Sequence, residues 1–327
     1  TGKNVVLATG SYARTLPGLD IDGKRVITSD QALNMDYVPK SAIVLGGGVI
    51  GCEFASVWKS FGAEVTIIEG LPRLVALEDE TSSKQLERAF RKRKIEFEVG
   101  SRFQSHTVNA DSVTVNLENG KSFTAEVLLV AVGRGPVSAG IGYEEQGLTM
   151  DRGYVLVDNK CRTNVPGVWA VGDLIPTLQL AHVGFQEGIM VAEEIAGLNP
   201  QPINYDGVPR VTYSEPEVAS VGLTTAVAKE RGYDIEEISY DLGGNGKSQI
   251  LKTAGSIKIV QQKGGPVLGI HMVGDRVGEL IGEAQVIYNW QADAQDVAPY
   301  IHAHPTMNEA MGEAFLALAG KPLHAHG

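Results

Sequence analysis

The stretch Ala42-Ile43-Val44-Leu45-Gly46-Gly47-Gly48-Val49-Ile50-Gly51 constrains this chain more than any other. Four apolar residues ahead of a glycine run predict a buried strand. The residues that follow predict a helix to about Phe61, stopped by Gly62, and then a second strand over Val65–Glu69. Gly46, Gly48 and Gly51 satisfy G-x-G-x-x-G, and Glu69 closes the second strand 18 residues past Gly51. That order of strand, turn, helix, strand and acid is the fingerprint of a dinucleotide site. Gly46 permits the tight turn, Gly48 lets the backbone approach a pyrophosphate, and Gly51 packs helix on strand. The anion then meets free N–H groups at the helix start. A carboxylate at Glu69 accepts from a ribose 2′-OH and repels a 2′-phosphate, so NAD is expected rather than NADP. Arg73 is the one nearby charge that argues otherwise.

The same pattern continues. A helix is predicted over about Glu80–Lys94, with strands near Ile95–Val99, Val113–Leu117 and Leu128–Val132. Residues 37–135 are taken as one Rossmann-like domain. Before it, residues 1–36 open on a buried-strand pattern, Val5-Val6-Leu7-Ala8, followed by Thr9-Gly10-Ser11. After it, residues 136–206 carry Val168-Trp169-Ala170-Val171-Gly172-Asp173, again a strand ending in glycine and an acid, and a helix from about Gly184 to Ala196. Residues 207–327 change character. Strands near Ile235–Asp241, Ser256–Gln262 and Val267–Val273 precede helices near Arg276–Trp290 and Thr306–Ala319, which predicts an α+β domain.

Charge and composition exclude several classes. At a net charge of −11, binding to nucleic acid is disfavoured, and the basic run Arg91–Lys94 reads as a helix C-terminus. No apolar run reaches the ~18 residues of a membrane span. Two cysteines, Cys52 and Cys161, make no disulfide framework, which suits a reducing, cytoplasmic setting. The chain opens Thr1-Gly2-Lys3, so the lack of a visible signal peptide carries little weight.

Near the other end, His304-Pro305 is followed by Glu309. An imidazole with an unperturbed pKa of ~6.5 suits proton exchange with thiols of pKa ~8.5, and a neighbouring carboxylate orients it. If Pro305 opens a helix, its first turns bring Glu309 back toward the ring. The alternative is a surface histidine beside an early-helix carboxylate that serves only the helix dipole. His302, His304, His324 and His326 raise a metal site as a further alternative, but nothing in their spacing supports one, and no metal is expected.

Taken in order, Thr9-Gly10-Ser11, Gly46–Gly51 with Cys52-Glu53, Ala131-Val132-Gly133-Arg134, Val168–Asp173, Leu180-Ala181-His182 and His302-Ala303-His304-Pro305-Thr306 resemble the flavin-dependent pyridine nucleotide–disulfide oxidoreductases. Within them the chain looks most like the dihydrolipoamide dehydrogenases, in their actinobacterial form, over nearly its whole length. The resemblance implies an α/β fold in which an FAD-binding Rossmann-like domain is interrupted by an NAD-binding one. An α+β dimer-interface domain follows. It places Thr9, Gly10 and Ser11 on the flavin side, Asp173 at the FAD ribityl or pyrophosphate, and Gln179, Leu180, Ala181 and His182 beside the isoalloxazine. Gly46, Gly47, Gly48, Val49, Ile50, Gly51, Glu53, Glu69 and Gly133 would line NAD, with Phe103 near the adenine. His304 would be the acid–base catalyst and Glu309 its orienting partner, facing a disulfide of the other subunit of a homodimer. The implied substrates are dihydrolipoyl groups of 2-oxo acid dehydrogenase complexes or of the glycine cleavage system, with electrons passing by FAD to NAD+.

The chain departs from that pattern in three ways. It shows neither a second, N-terminal G-x-G-x-x-G nor a redox C-x-x-x-x-C, and Val137 stands where the family often has Asn. The first two absences are expected if the chain lacks the N-terminal part of the FAD domain. On that reading the chain by itself is a non-catalytic NAD-binding and dimerising module. Other disulfide reductases or soluble transhydrogenases of the family are the remaining alternatives. The first are disfavoured by Glu69 where they use NADP, and the second by His304.

Overall fold

The computed structural model describes residues 2–324. The chain forms two compact units, Thr1–Arg14 with Gly133–Tyr205, and Thr15–Val132 with Asp206–Gly327.

In the larger unit, a five-stranded parallel sheet runs in the order Val26–Ile27, Val127–Val130, Ser41–Leu45, Glu64–Glu69, Ile95–Val99. Both of its faces are buried, and alternate residues serve different cores. Val44, Ile67 and Leu129 point to one apolar cluster, Ile43, Ile68 and Leu128 to the other. That is why these strands are apolar without alternation. The Val49–Ser60 helix buries Cys52, Ala55 and Trp58 against the first face. The Glu80–Lys92 helix, capped by Asp79, adds Leu86 and Phe90.

Residues 15–36 were expected with the opening segment but pack in this unit. Val26 pairs with Leu128 at the sheet edge, and Leu19 and Val26 join the core there. A two-residue strand is too short to show a period. Also unforeseen are Phe103–Val108 and Ser122–Ala125, which flank Val113–Leu117 in a three-stranded antiparallel sheet. Their outward residues are polar, which masks them as strands.

The rest of the larger unit is a five-stranded antiparallel sheet in the order Arg210–Thr212, Glu217–Gly222, Val267–Gly274, Ser256–Gln262, Ile235–Asp241. The helices Val277–Asn289 and Glu309–Leu318 pack on it around Ile257, Ile270, Met272 and Phe315. The last helix starts three residues later than Thr306. Pro305–Asn308 form a turn in which Thr306 Oγ1 donates to Ala303 O at 2.6 Å.

The smaller unit pairs Val5–Leu7 in parallel with Val168–Ala170, and Ser11–Ala13 antiparallel with Arg134–Pro136. Its helix is Ala181–Ile195, longer at the front than the predicted 184–196. One side buries Val183, Met190 and Val191, while Phe185 remains 72% exposed on the other. Among the described residues, no helix is long and apolar enough to cross a membrane.

Candidate functional site

The glycine turn has the geometry its spacing predicts. Gly46 sits at φ +115°, and a Cβ there would lie 2.2 Å from Ala131 O. A Cβ on Gly51 would lie 1.8 Å from Gly46 O, so the helix can close on the turn only without a side chain. At Gly48 a Cβ would meet nothing within 4 Å. Gly48 caps the Val49–Ser60 helix without any side-chain hydrogen bond, so the first N–H groups, those of Val49 and Ile50 included, have no side-chain acceptor. Open space beside uncapped N–H groups fits a pyrophosphate.

Glu69 is held beside this turn. Its Oε2 accepts the Gly47 N–H at 2.6 Å and its Oε1 the Leu71 N–H at 2.7 Å. Each oxygen keeps a lone pair for a ribose hydroxyl. The opposing charge, Arg73, is committed elsewhere, since its Nη1 donates to Glu78 O at 2.8 Å and to Ser83 Oγ at 2.6 Å. Glu53 lies a turn into the helix, where it accepts the Tyr213 N–H at 2.8 Å and burial pushes its carboxyl up. Phe103 packs into the core with Leu117 and Val130. Gly133 belongs to the smaller unit, at φ +116°, and its carbonyl accepts the Arg14 N–H at 2.9 Å.

In the smaller unit, two expected residues, Ser11 and Asp173, meet, joined by Arg134. Ser11 Oγ donates to Asp173 Oδ2 at 2.5 Å and accepts from Arg134 Nε at 2.7 Å, while Thr9 Oγ1 donates to Val137 O at 2.6 Å. Gly10 sits beside them at φ +73° with its Cβ side open. Gln179 Nε2 is buried with no partner, as an amide awaiting an acceptor would be. Leu180 caps the next helix without a side-chain bond, and Ala181 and His182 form its first turn. An open glycine, an orphan amide and an uncapped helix start suit a flavin nucleotide. Glu187 is the residue that sequence reasoning missed here. Fully buried, it accepts from Gly172 N at 2.6 Å, Thr177 Oγ1 at 2.9 Å and Tyr205 OH at 2.9 Å. No motif marks it, because its three donors come from distant positions.

The C-terminal pair forms. His304 Nδ1 lies 2.8 Å from Glu309 Oε1, and Glu309 Oε2 accepts the Thr306 N–H at 2.8 Å. Burial works to raise the Glu309 carboxyl, but the Thr306 N–H and His304 outweigh it and hold it low. The His304 side chain is 77% exposed, on a loop whose Ile301 is 97% exposed. A second pair, which the sequence did not reveal, steadies this loop. His302 Nε2 meets Glu283 Oε1 at 2.9 Å, and Asn308 Nδ2 donates to Glu283 Oε2 at 2.5 Å. The Glu283 bond holds the His302 imidazole above its ordinary pKa. Gly312 is obligatory beneath it, since a Cβ there would lie 2.5 Å from His302 Nδ1. His324 pairs with Glu313 at 2.8 Å, and His326 lies outside the described residues. Among the described residues, no group of three or more His, Cys, Asp or Glu could hold a metal ion.

Both thiols are free and buried. Burial, followed by Glu187, pushes Cys161 up to about 12, and burial raises Cys52 as well. Neither is a thiolate nucleophile at neutral pH.

Residues 1–188 match the family described as pyridine nucleotide-disulphide oxidoreductase, and residues 208–315 match its dimerisation domain. The chain is 40% identical to a dihydrolipoyl dehydrogenase of Bacillus subtilis over 98% of its own length and 69% of the relative's. It is 41% identical to a mitochondrial dihydrolipoyl dehydrogenase of Schizosaccharomyces pombe, over 98% of the chain but 65% of that protein. The crystal structure of LpdA from Mycobacterium tuberculosis superposes with a TM-score of 0.90 at 28% identity, covering 96% of this chain and 69% of that one.

Proposed function

The chain belongs to the pyridine nucleotide-disulphide oxidoreductase family, as a flavoprotein of the dihydrolipoamide dehydrogenase type that uses FAD and NAD, and from that premise we propose that it serves the oxidation of dihydrolipoyl dithiols by NAD+. The observation that carries this reading is the His304–Glu309 pair, at 2.8 Å on an exposed loop of the dimerisation domain. With Nδ1–H donated to Glu309, the lone pair of His304 Nε2 points away from the carboxylate. It takes a thiol proton and leaves a thiolate, and Glu309 stabilises the imidazolium that results. The proton then passes to solvent, so the net change is dithiol plus NAD+ to disulfide plus NADH plus H+.

The disulfide that would accept the thiolate is neither Cys52 nor Cys161, whose buried thiols are withdrawn from reaction, so the step requires a redox disulfide that residues 1–327 do not themselves supply. In a homodimer, the exposed His304 loop would present its base to groups contributed by the other subunit. A bound FAD would supply the two-electron redox chemistry that links the thiols to NAD+. Ser11, Asp173, Arg134 and Gln179 would hold it, with Thr9, Gly10 and the Leu180–His182 turn around them. The Gly46–Gly51 turn would hold the NAD pyrophosphate and Glu69 its ribose. Glu69 also disfavours a 2′-phosphate, and with it the NADP-linked reductases. A thiol base disfavours a soluble transhydrogenase, which has no dithiol to deprotonate. Lipoyl domains of 2-oxo acid dehydrogenase complexes or of the glycine cleavage system are the proposed partners, in the cytoplasm.

The test is NADH formation from dihydrolipoamide and NAD+ with FAD supplied. His304→Gln is expected to lower turnover roughly 10²- to 10⁴-fold with NADH affinity unchanged. Equal turnover in the variant overturns the acid–base role. NADH binding without any turnover in the parent chain supports instead a non-catalytic NAD-binding, dimerising module.

A further inference from the structure

The segment 74–79, which leads from the strand ending at Glu69 into the Glu80–Lys92 helix, is braced at both ends. At its near end, the Val75 N–H donates to Gly47 O at 2.8 Å. Leu74 lies so close to Gly47 that a Cβ there would come within 2.6 Å of Leu74 Cδ2. Val75 itself sits at φ +42°, in the left-handed region, where a β-branched residue stays only if its surroundings hold it. Its carbonyl is gripped by the Glu78 N–H at 2.8 Å and by Ser83 Oγ at 3.3 Å.

The far end, Glu78 and Asp79, is buried against the C-terminal sheet. Arg210, Ser220, His271 and Lys258 stand opposite one another across four adjacent strands of that sheet. Ser220 Oγ donates to Glu78 Oε2 at 2.5 Å, and Arg210 Nε lies 3.4 Å from Glu78 Oε1. Lys258 Nζ donates to Asp79 Oδ1 at 3.1 Å, and Asp79 Oδ2 accepts the Thr225 N–H at 3.2 Å. His271 donates to Leu223 O through Nε2 and leaves its buried Nδ1 without a partner. Two carboxylates on adjacent residues are thus held by a polar row of the dimerisation domain, at one end of a short strained segment. The other end of that segment is hydrogen-bonded to Gly47, between the first two glycines of the G-x-G-x-x-G turn.

We propose that Lys258 and Arg210 are positioning residues for the dinucleotide. Through Glu78, Asp79 and Val75 they set the orientation of the Gly47 peptide, and so of the N–H groups that meet the pyrophosphate. The inference rests on the reading of Gly46–Gly51 as the NAD site. It makes the dimerisation domain part of the nucleotide site, although no residue of that domain need touch the nucleotide.

The experiment compares Lys258→Met with Gln85→Ala in the full chain. Gln85 Nε2 bonds Ser256 Oγ at 2.7 Å and so ties the same helix to the same sheet, but away from the segment 74–79. NADH affinity is read by fluorescence titration, and KM for NAD+ and for dihydrolipoamide in turnover. Lys258→Met is expected to weaken NADH and raise the NAD+ KM roughly 3- to 30-fold, leave the dihydrolipoamide KM unchanged, and be rescued by Lys258→Arg. Gln85→Ala is expected to lower melting temperature without that split. If Lys258→Met does not fold, the pair Lys258→Met with Asp79→Asn removes both buried charges, keeps a helix cap, and should show the same loss. Wild-type NADH affinity in a folded Lys258→Met chain, or an equal NAD+ effect from Gln85→Ala, overturns the proposal. Absence of NADH binding in the parent chain overturns instead the nucleotide site on which it rests.

Discussion

Replacing the three glycines of the turn one at a time separates a binding role from a packing role. At Gly48 a Cβ meets nothing within 4 Å, and φ is −76°, which alanine adopts freely. The unfolded chain loses conformational freedom, a gain of about 0.4–1 kcal/mol, which roughly offsets alanine's poorer fit at a helix cap. Gly48→Ala should therefore melt within ~4 °C of the parent. Its methyl group, however, fills the space facing the helix N–H groups. Loss of one charged hydrogen bond costs about 1.5–3 kcal/mol, so NADH should bind roughly 10- to 100-fold more weakly. Gly51→Ala reverses the balance, because its Cβ would stand 1.8 Å from a backbone oxygen that cannot swing away. Overpacking of that kind costs about 1–3 kcal/mol or more, and the helix must lift off the strand. Gly46→Ala carries a collision at 2.2 Å together with φ +115° and should be worse. Differential scanning fluorimetry and NADH titration on the same samples give both readouts. A folded Gly48→Ala chain that binds NADH as the parent does would refute the placement of the pyrophosphate.

Other perturbations address the remaining elements. His302 has its pKa raised above 6.5 by Glu283, so its contribution is full below about pH 6.5 and fades as pH rises through the higher folded value. Glu283 is lowered below 4.5, because His302 and Asn308 outweigh the burial that opposes them, so its share is lost only as pH falls through that lower value. Hydrogen exchange in residues 300–308 should accordingly be slower at pH 6 than at pH 9 after correction for intrinsic rates, and Glu283→Gln should abolish the difference. Gly312→Ala drives a Cβ to 2.5 Å from His302 Nδ1 and should lower dihydrolipoamide turnover several-fold while NADH affinity stays at the parent value. Glu187→Ala leaves three half-buried donors without their fully buried acceptor, at up to about 1–3 kcal/mol each. Calorimetry should show it lowering stability far more than Glu144→Ala at an exposed turn.

The sequence alone determined four strands of the parallel sheet and the glycine turn after one of them. Those signals are local: apolar runs for strands buried on both faces, glycines where a Cβ has no room, and one acid at a strand end. Gly46, Gly51 and Glu69 occupy the geometry their spacing implied, within a few residues of the predicted boundaries. His304 and Glu309 were legible as a pair because only five residues separate them, although the helix begins at Glu309 rather than at Pro305. Tertiary structure decided what depends on distant groups meeting. Residues 15–36 joined the larger unit through a two-residue strand. Glu187 acquired three donors, Glu283 fixed the loop of His304, and Lys258 reached Asp79 from 179 residues away. A buried carboxylate looks in sequence like any surface acid. Its role exists only once the fold removes water and supplies the partners that stabilise its charge.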